Sequence, residues 1–524
     1  MRRPLGPNVA VFARNMAAVC LLWPVLMLAQ LTPAQAAGKH IYKDGVSPSA
    51  RMIEAVLGEG STRVPARIMP CANCHGSDGQ GKPEGSVVPS TITWNVLALP
   101  VKKTSALGRQ RLAYDQTSLG RAITQGVDSS GHRLGSAMPR YRLSPKDLDS
   151  LIQYLRVLDK DVDPGLTGST IRLGVIVPVD GPLAFSGRSS IALLQAYFDE
   201  LNEQGGIYGR KIELRAMERP VMPAAQNGKQ DFERADDIFA AISILPPGAE
   251  HELTGMMEQL DIPTIAAFAS RSLADDSRQS NTFYVLSGLP QQARVLVKFA
   301  REHVDDPLAR IAVVYPESAQ DLADAVIDEC RTASLDNLQP VKFSRFASGT
   351  VADSLSHQRV RSVFFLGRGK EMQEMLQSAA SIDWIPTVFQ PGPLAGQEVF
   401  TIPPAFDQHV FLAFPMLPSD VGAQAFYEYK SLAKKHNLAS AQPAIALTAL
   451  AAAKILVEAL RESGRQLSRD KLITILSGIY GFHTGLTPPV TFTATRRIGA
   501  LGAYVVRLDL KNKSFTPVGS WIVP

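Results

Sequence analysis

The pentapeptide Cys71-Ala72-Asn73-Cys74-His75 constrains this 524-residue chain more than any other feature. Two thiols three residues apart reach the two vinyl groups of one haem and form thioethers, and the adjacent histidine swings under the iron as proximal ligand. A structural zinc site would need a second ligand pair, and no second CxxC occurs. A thioredoxin-like redox pair would want a strand before it and a helix after it. Here Pro70 precedes and Gly76-Ser77-Asp78-Gly79 follows. The motif predicts one covalent haem c, attached through Cys71 and Cys74, with His75 on the iron.

Spacing and chemistry propose the opposite axial ligand. Met138 lies in the stretch Gly135-Ser136-Ala137-Met138-Pro139-Arg140-Tyr141, well downstream of His75. A thioether opposite histidine raises the haem potential and leaves no open coordination position, the arrangement of an electron carrier. Met52, Met69 and His132 compete for the role. Met69 is too close to the attachment site to reach the other haem face, and His132 sits in a polar, Gly-flanked loop that favours solvation.

After Met138 come Ser144 and Pro145, an N-cap and a first-turn proline, with Asp147 at the third helical position. Leu148, Leu151, Ile152, Leu155 and Leu158 then repeat at helical spacing. Near residue 38, Gly38-x-x-x-Tyr42 places a small residue and an aromatic one turn apart, suited to a close helix crossing. Over about 38–160 these residues resemble the class I cytochrome c domain. The resemblance implies a small all-α fold around one haem, its first helix packed on its last, and the domain is assigned to 37–160. The loop from Gly76 to Leu119 is longer and richer in Pro and Gly than a minimal version and receives no role.

The first 36 residues read as a cleaved secretory signal. Arg2, Arg3 and Arg14 form a basic region, residues 16–31 are apolar apart from Gln30, and Ala34-Gln35-Ala36 is a small-residue cleavage pattern. A retained anchor is the weaker reading, because the run is short and contains Pro24. The chain is therefore expected in the periplasm, with no stable membrane span after cleavage. Beyond the signal, residues 37–160 hold 17 Lys/Arg against 10 Asp/Glu, and residues 161–524 hold 34 against 39. Opposite signs suggest separate domains with different partners, and neither balance is that of a nucleic-acid binder. Four cysteines are too few for a disulfide scaffold.

Residues 159–170 are polar, with Pro164, Gly165 and Gly168, and 161–170 reads as a linker. Beyond it β-rich runs alternate with amphipathic helical patterns: 171–177 then a helix from about Arg188, 310–315 with 321–331, and 362–366 with 371–380. This predicts doubly wound parallel sheets with helices on both faces. The stretch from Ile171 through Pro182, Phe185, Ser186 and Gly187, the Gly205-Gly206…Gly209 block and the closing Thr484-Gly485-Leu486 run resemble the type I periplasmic solute-binding proteins, leucine-binding branch. The resemblance covers 171–524. It implies two Rossmann-like lobes, about 171–288 with 411–486 and 289–410 with 487–524, closing on a small-molecule ligand.

The same resemblance places Phe185, Ser186, Gly187, Ser270 and Gln320 at the cleft. Amino-acid binders usually carry a hydroxyl-rich turn for the ligand carboxylate. The corresponding residues here are Leu245, Pro246, Pro247, Gly248, Ala249 and Glu250, which lack the hydroxyls and two N–H donors. A ligand less polar than an amino acid is expected. Cys330 continues the apolar face of Leu322 and Val326 and reads as a buried inert thiol. No HExxH or GxSxG occurs. The expected function is electron transfer coupled to ligand sensing rather than catalysis, with a periplasmic redox partner for which a quinoprotein dehydrogenase is a candidate. The alternative is a receptor for an ABC permease with an accessory cytochrome.

Overall fold

The computed structural model describes residues 31–49, 51–58, 62–81, 88–101, 110–178, 184–219, 237–243, 250–268, 280–303, 309–438 and 443–524. The chain divides into two compact units, Met1–Asp161 and Val162–Pro524.

The first unit is framed by helices α1 (Pro33–Asp44) and α5 (Pro145–Leu155). Thr32 caps α1: its hydroxyl accepts from the Gln35 backbone N–H, and Gln35 Oε1 accepts from the Thr32 N–H at 2.8 Å. Ser144 caps α5 and Pro145 starts it, as the sequence predicted. Gly38 lets the two helices touch, because a Cβ there would overlap the Ser150 carbonyl oxygen and crowd Tyr154 Cβ at 2.7 Å. Tyr42 and Tyr154 pack beside this crossing, both fully buried, with ring centroids 5.6 Å apart. Asp161 accepts from Tyr154 Oη and pairs with Lys39 Nζ, each at 2.8 Å, and so closes the far end of the crossing.

Three shorter helices lie between the frame helices: α2 (Cys71–His75), α3 (Trp94–Leu97) and α4 (Gln116–Gln125). The unit is not purely helical. An antiparallel sheet joins β1 (Glu54–Leu57) to β2 (Thr62–Pro65) on one side and to β3 (Arg140–Arg142) on the other. The helical fold expected here carries this small sheet as an addition, in which the strand that follows Met138 pairs with β1. The expected cleavage tripeptide Ala34-Gln35-Ala36 lies in the first turn of α1, while residues 1–30 of the expected signal lie outside the described residues.

The second unit contains two sheets. In the first, β4 (Thr170–Pro178), β5 (Lys211–Arg219), β6 (Ala240–Ser243), β7 (Thr264–Phe268), β8 (Thr282–Leu286) and β14 (Ile498–Ala500) run parallel in the order β5-β4-β6-β7-β8-β14. In the second, β9 (Arg310–Pro316), β10 (Leu338–Phe343), β11 (Val360–Phe365), β12 (Thr387–Pro391) and β13 (Val410–Phe414) are parallel in the order β10-β9-β11-β12-β13. Two antiparallel strands, β15 (Ala503–Asp509) and β16 (Ser514–Ile522), extend the edge. Each parallel set reverses direction of growth once, between β4 and β6 and between β9 and β11, and ligands bind outside the carboxyl ends of strands at such points.

The lobe boundaries differ from those expected. β13 belongs to the second sheet and β14 to the first, so the crossings fall after Phe414 and at Leu501–Gly502 instead of at 411 and 487. The apolar β-run at 410–414 gives no sign of which sheet it joins. The helix Pro443–Glu462 is long and apolar enough to cross a membrane, but most of it is buried in the core of the first lobe. Arg469 is buried beside it, and its guanidinium donates to the carbonyls of Ile238, Phe239 and Leu260 while its N–H donates to Asp163 Oδ2 at 2.7 Å. One residue thus ties the start of the unit to two strand-end segments of the first sheet.

Gly38→Ala offers a test of the crossing. Alanine gains about 1 kcal/mol in helix propensity, but its Cβ would force the helices apart, an overpacking that costs about 1–3 kcal/mol or more. Because the overlap is with backbone, which cannot rotate away, the second effect wins. Denaturant unfolding of the first unit should show a net loss of about 2 kcal/mol, and a stabilised variant would refute the close crossing.

Candidate functional site

Cys71–His75 forms a single helical turn, α2, entered from Pro70 and left at Gly76, whose φ is 77°. Three-residue spacing on a helix puts Cys71 and Cys74 on one face, and neither is in a disulfide. Burial pushes the Cys71 thiol up to about 12, so it is held as the protonated thiol. Two buried tyrosines hold the flanks of this turn. Tyr42 Oη donates to the Gly76 carbonyl at 2.6 Å and Tyr141 Oη to the Met69 carbonyl at 2.7 Å. The first comes from α1 and the second from β3, so the helix crossing and the small sheet both locate the pentapeptide.

His75 is oriented by the loop that follows it. Its Nδ1 lies 2.9 Å from the Ser90 carbonyl oxygen. A carbonyl can only accept, so Nδ1 carries the proton and Nε2 keeps its lone pair. Burial lowers the His75 pKa below the ordinary value, opposed by the bond to Ser90, and the imidazole is neutral at pH 7. The loop folds back through Gly81 N–H to the His75 carbonyl at 2.8 Å and Ile92 N–H to the Gly79 carbonyl at 2.7 Å. Gly81 has φ +90°, and a Cβ there would overlap the Pro89 carbonyl oxygen, so this turn requires glycine. The Pro/Gly-rich stretch without a role in the sequence thus supplies the Ser90 carbonyl that sets the histidine tautomer. Residues 82–87 and 102–109 lie outside the described residues.

The two thiols on one face, the neutral histidine with its lone pair at Nε2, and the buried rings around them fit a covalently attached haem. Of the competing axial ligands, Met52 is 77% exposed, Met69 is held by its carbonyl to Tyr141, and His132 Nδ1 lies 3.3 Å from Asp128 Oδ2. Met138 is half-buried in the loop between α4 and β3, and its N–H donates to the Gly135 carbonyl.

In the second unit, Phe185, Ser186 and Gly187 do not sit in a loop. They lie in the first turn of α6 (Ala184–Glu203), Phe185 exposed, Ser186 and Gly187 buried, with the Ser186 carbonyl accepting from Ser190 Oγ. The helix starts earlier than the apolar spacing from Arg188 suggested. Gln320 opens the helix Gln320–Thr332 and donates to Asp324 Oδ1 at 2.9 Å, so its amide is engaged within its own helix. Ser270 and residues 245–249 lie outside the described residues, and Glu250 begins the helix Glu250–Gln259. Cys330 is fully buried with its thiol pushed up to about 12 by burial, as an inert core thiol should be.

Two polar residues went unnoticed in the sequence. Ser243 ends β6 beside the first switch point, and its buried hydroxyl has no hydrogen-bond partner among the described residues. Gln390, fully buried on β12, donates from Nε2 to the Gly367 carbonyl at 2.9 Å while its Oε1 has no such partner. Both stand at the carboxyl side of a parallel sheet, and the only sequence signal is a polar residue at the end of an apolar strand.

The chain matches the periplasmic binding protein family over residues 170–514 and the cytochrome c family over 66–159. No curated protein matches it. Among solved structures, a fatty acid ABC transporter substrate-binding protein from Thermomonospora curvata is 18% identical with a TM-score of 0.53, over 70% of this chain and 95% of its own. A branched chain amino acid ABC transporter from Thermus thermophilus with bound valine is also 18% identical, with a TM-score of 0.54 over 68% and 98%. A periplasmic binding protein type 1 from Bordetella pertussis Tohama I is 16% identical, with a TM-score of 0.52 over 67% and 100%. These likenesses establish a common fold. Over residues 170–514 the chain belongs to the periplasmic binding protein family, and a cytochrome c region precedes that domain.

Proposed function

We propose that this protein is a periplasmic electron carrier with one haem c on Cys71 and Cys74, His75 and Met138 being its axial ligands, and that its binding domain senses a small molecule tied to the chemistry of its redox partner. The observation that carries the reading is the Nδ1–H of His75 held on the Ser90 carbonyl, which presents a neutral nitrogen for iron. A haem held there supplies reversible one-electron transfer. With His75 and Met138 both holding the iron, no position would be left for substrate, which would favour a carrier over a catalyst. The periplasmic placement is supported by the signal-like first 36 residues and by the family of the larger domain. A dehydrogenase, a quinoprotein among the candidates, is the proposed donor.

Met138→Ala tests the ligation. The oxidised wild type should show the weak near-infrared sulfur–iron charge-transfer band, and the variant should lose it and have a lower potential. Persistence of the band would assign the sixth position to another residue and reopen a catalytic role.

A second reading, a receptor delivering solute to a permease, is favoured by the similar structures, one a fatty acid ABC transporter substrate-binding protein and another a branched chain amino acid ABC transporter with bound valine. The two readings share a ligand in the second unit, whose binding raises stability by about 2.7 kcal/mol at a hundredfold excess over Kd. Thermal melting of the full chain with leucine, valine, fatty acids, alcohols and aromatic acids should give a shift of the second unit's transition with a less polar compound and none with leucine or valine. Tight leucine or valine binding would show that the missing hydroxyls at residues 245–250 do not exclude an amino acid. A hit that also moves the haem potential supports sensing, by the reciprocity of linkage. A hit that leaves it unmoved supports the transport receptor.

A further inference from the structure

The loop that carries Met138 is gathered by one side chain. Successive residues of a strand face opposite sides, so while Tyr141 of β3 turns inward to the Met69 carbonyl, Arg140 turns the other way, toward the loop. Its Nη1 donates to the Met138 carbonyl, and its Nη2 donates to the carbonyls of Leu134 at 3.0 Å and Gly135 at 3.3 Å. The space for the guanidinium exists because residue 126 is glycine. Gly126 ends α4 with φ +69°, and a Cβ there would overlap Arg140 Nε and Cζ. The Leu134 N–H returns to the Gly126 carbonyl at 2.8 Å, which closes the loop at the same glycine. Asp128 organises the tip by accepting from the backbone N–H groups of Ser130 and His132. Arg140 therefore spends its donors on three backbone carbonyls of the segment bearing the thioether.

We propose that Arg140 is a positioning residue that fixes the Met138 segment and thereby keeps its sulfur on the haem iron against competing ligands. The proposal rests on Met138 being the axial ligand. The physical basis is that sulfur can leave the iron for long enough to be replaced only if residues 134–138 open, and opening breaks the charge-assisted bonds to Arg140. A planar, five-donor guanidinium can span three carbonyls at once, whereas a lysine ammonium is a point charge and cannot hold them in one fork.

The test is imidazole binding to the oxidised, haem-loaded full chain, read as loss of the sulfur–iron band, for wild type, Arg140→Gln and Arg140→Lys. A residue that only stabilised the fold would move the melting point and leave imidazole affinity of the folded protein unchanged. The expected result is about tenfold tighter apparent imidazole binding in Arg140→Gln. Arg140→Lys should bind imidazole more tightly than wild type while keeping its potential closer to it, because it retains the charge and loses the fork. If Arg140→Gln fails to hold haem, the lysine variant alone decides. An intact band with wild-type imidazole affinity in the variants overturns the role of Arg140 and leaves the ligation standing. Absence of the band from the wild type overturns both.

Discussion

The close crossing of α1 on α5 at Gly38 is the contact on which the haem-attachment geometry depends. With no Cβ at residue 38, the backbone of α1 lies against the Ser150 carbonyl, and that proximity buries Tyr42 one turn later. The Tyr42 hydroxyl then reaches the carbonyl of Gly76, immediately after His75. Tyr141 does the same for Met69 on the other side of the pentapeptide. A helical turn of five residues has no capacity to fix itself in water, since its nucleation is unfavourable. Its orientation is imposed from both ends by buried hydroxyls, each of which must find a carbonyl once its ring is taken from water.

The binding domain follows a different logic, in which two sheets of the same strand order are joined by three crossings. Ser287 is fully buried where the first crossing leaves β8, and its hydroxyl donates to the Ala500 carbonyl at 3.1 Å while accepting from the Gly502 N–H at 2.8 Å. One side chain thus ties the first crossing to the last. The remaining crossing is held by Asp420, which accepts from Tyr504 Oη of β15 and from the Leu417 N–H, each at 2.7 Å. Such ties concentrate any relative motion of the lobes in a few backbone torsions, as hinge closure requires.

Most of the architecture was legible because it is local. The cap at Ser144, the helical spacing through Leu155 and the alternation of strands and helices beyond residue 170 each declare themselves within a turn or two. What was hidden depends on contacts far apart in sequence. The partner of His75 is a backbone carbonyl at residue 90, and a carbonyl has no side-chain signature. The sheet membership of Val410–Phe414 and Ile498–Ala500 is decided by which neighbour they pair with, and both runs are equally apolar. The apolar spacing from Arg188 hides the first turn of α6, where Ser186 and Gly187 are weak helix formers. Packing against the first sheet overrides that preference. Arg140 was visible as a residue next to a Met-Pro pair, but only the fold shows that Gly126 makes room for it.

Intact-mass spectrometry of the full chain, expressed in a periplasm with haem-maturation machinery and then extracted with acid–acetone, tests the central claim most directly. The account predicts the mass of the exported chain plus one haem, and the haem-free mass of that chain when Cys71 and Cys74 are both replaced by serine. A wild-type chain that leaves the extraction at its haem-free mass would contradict it.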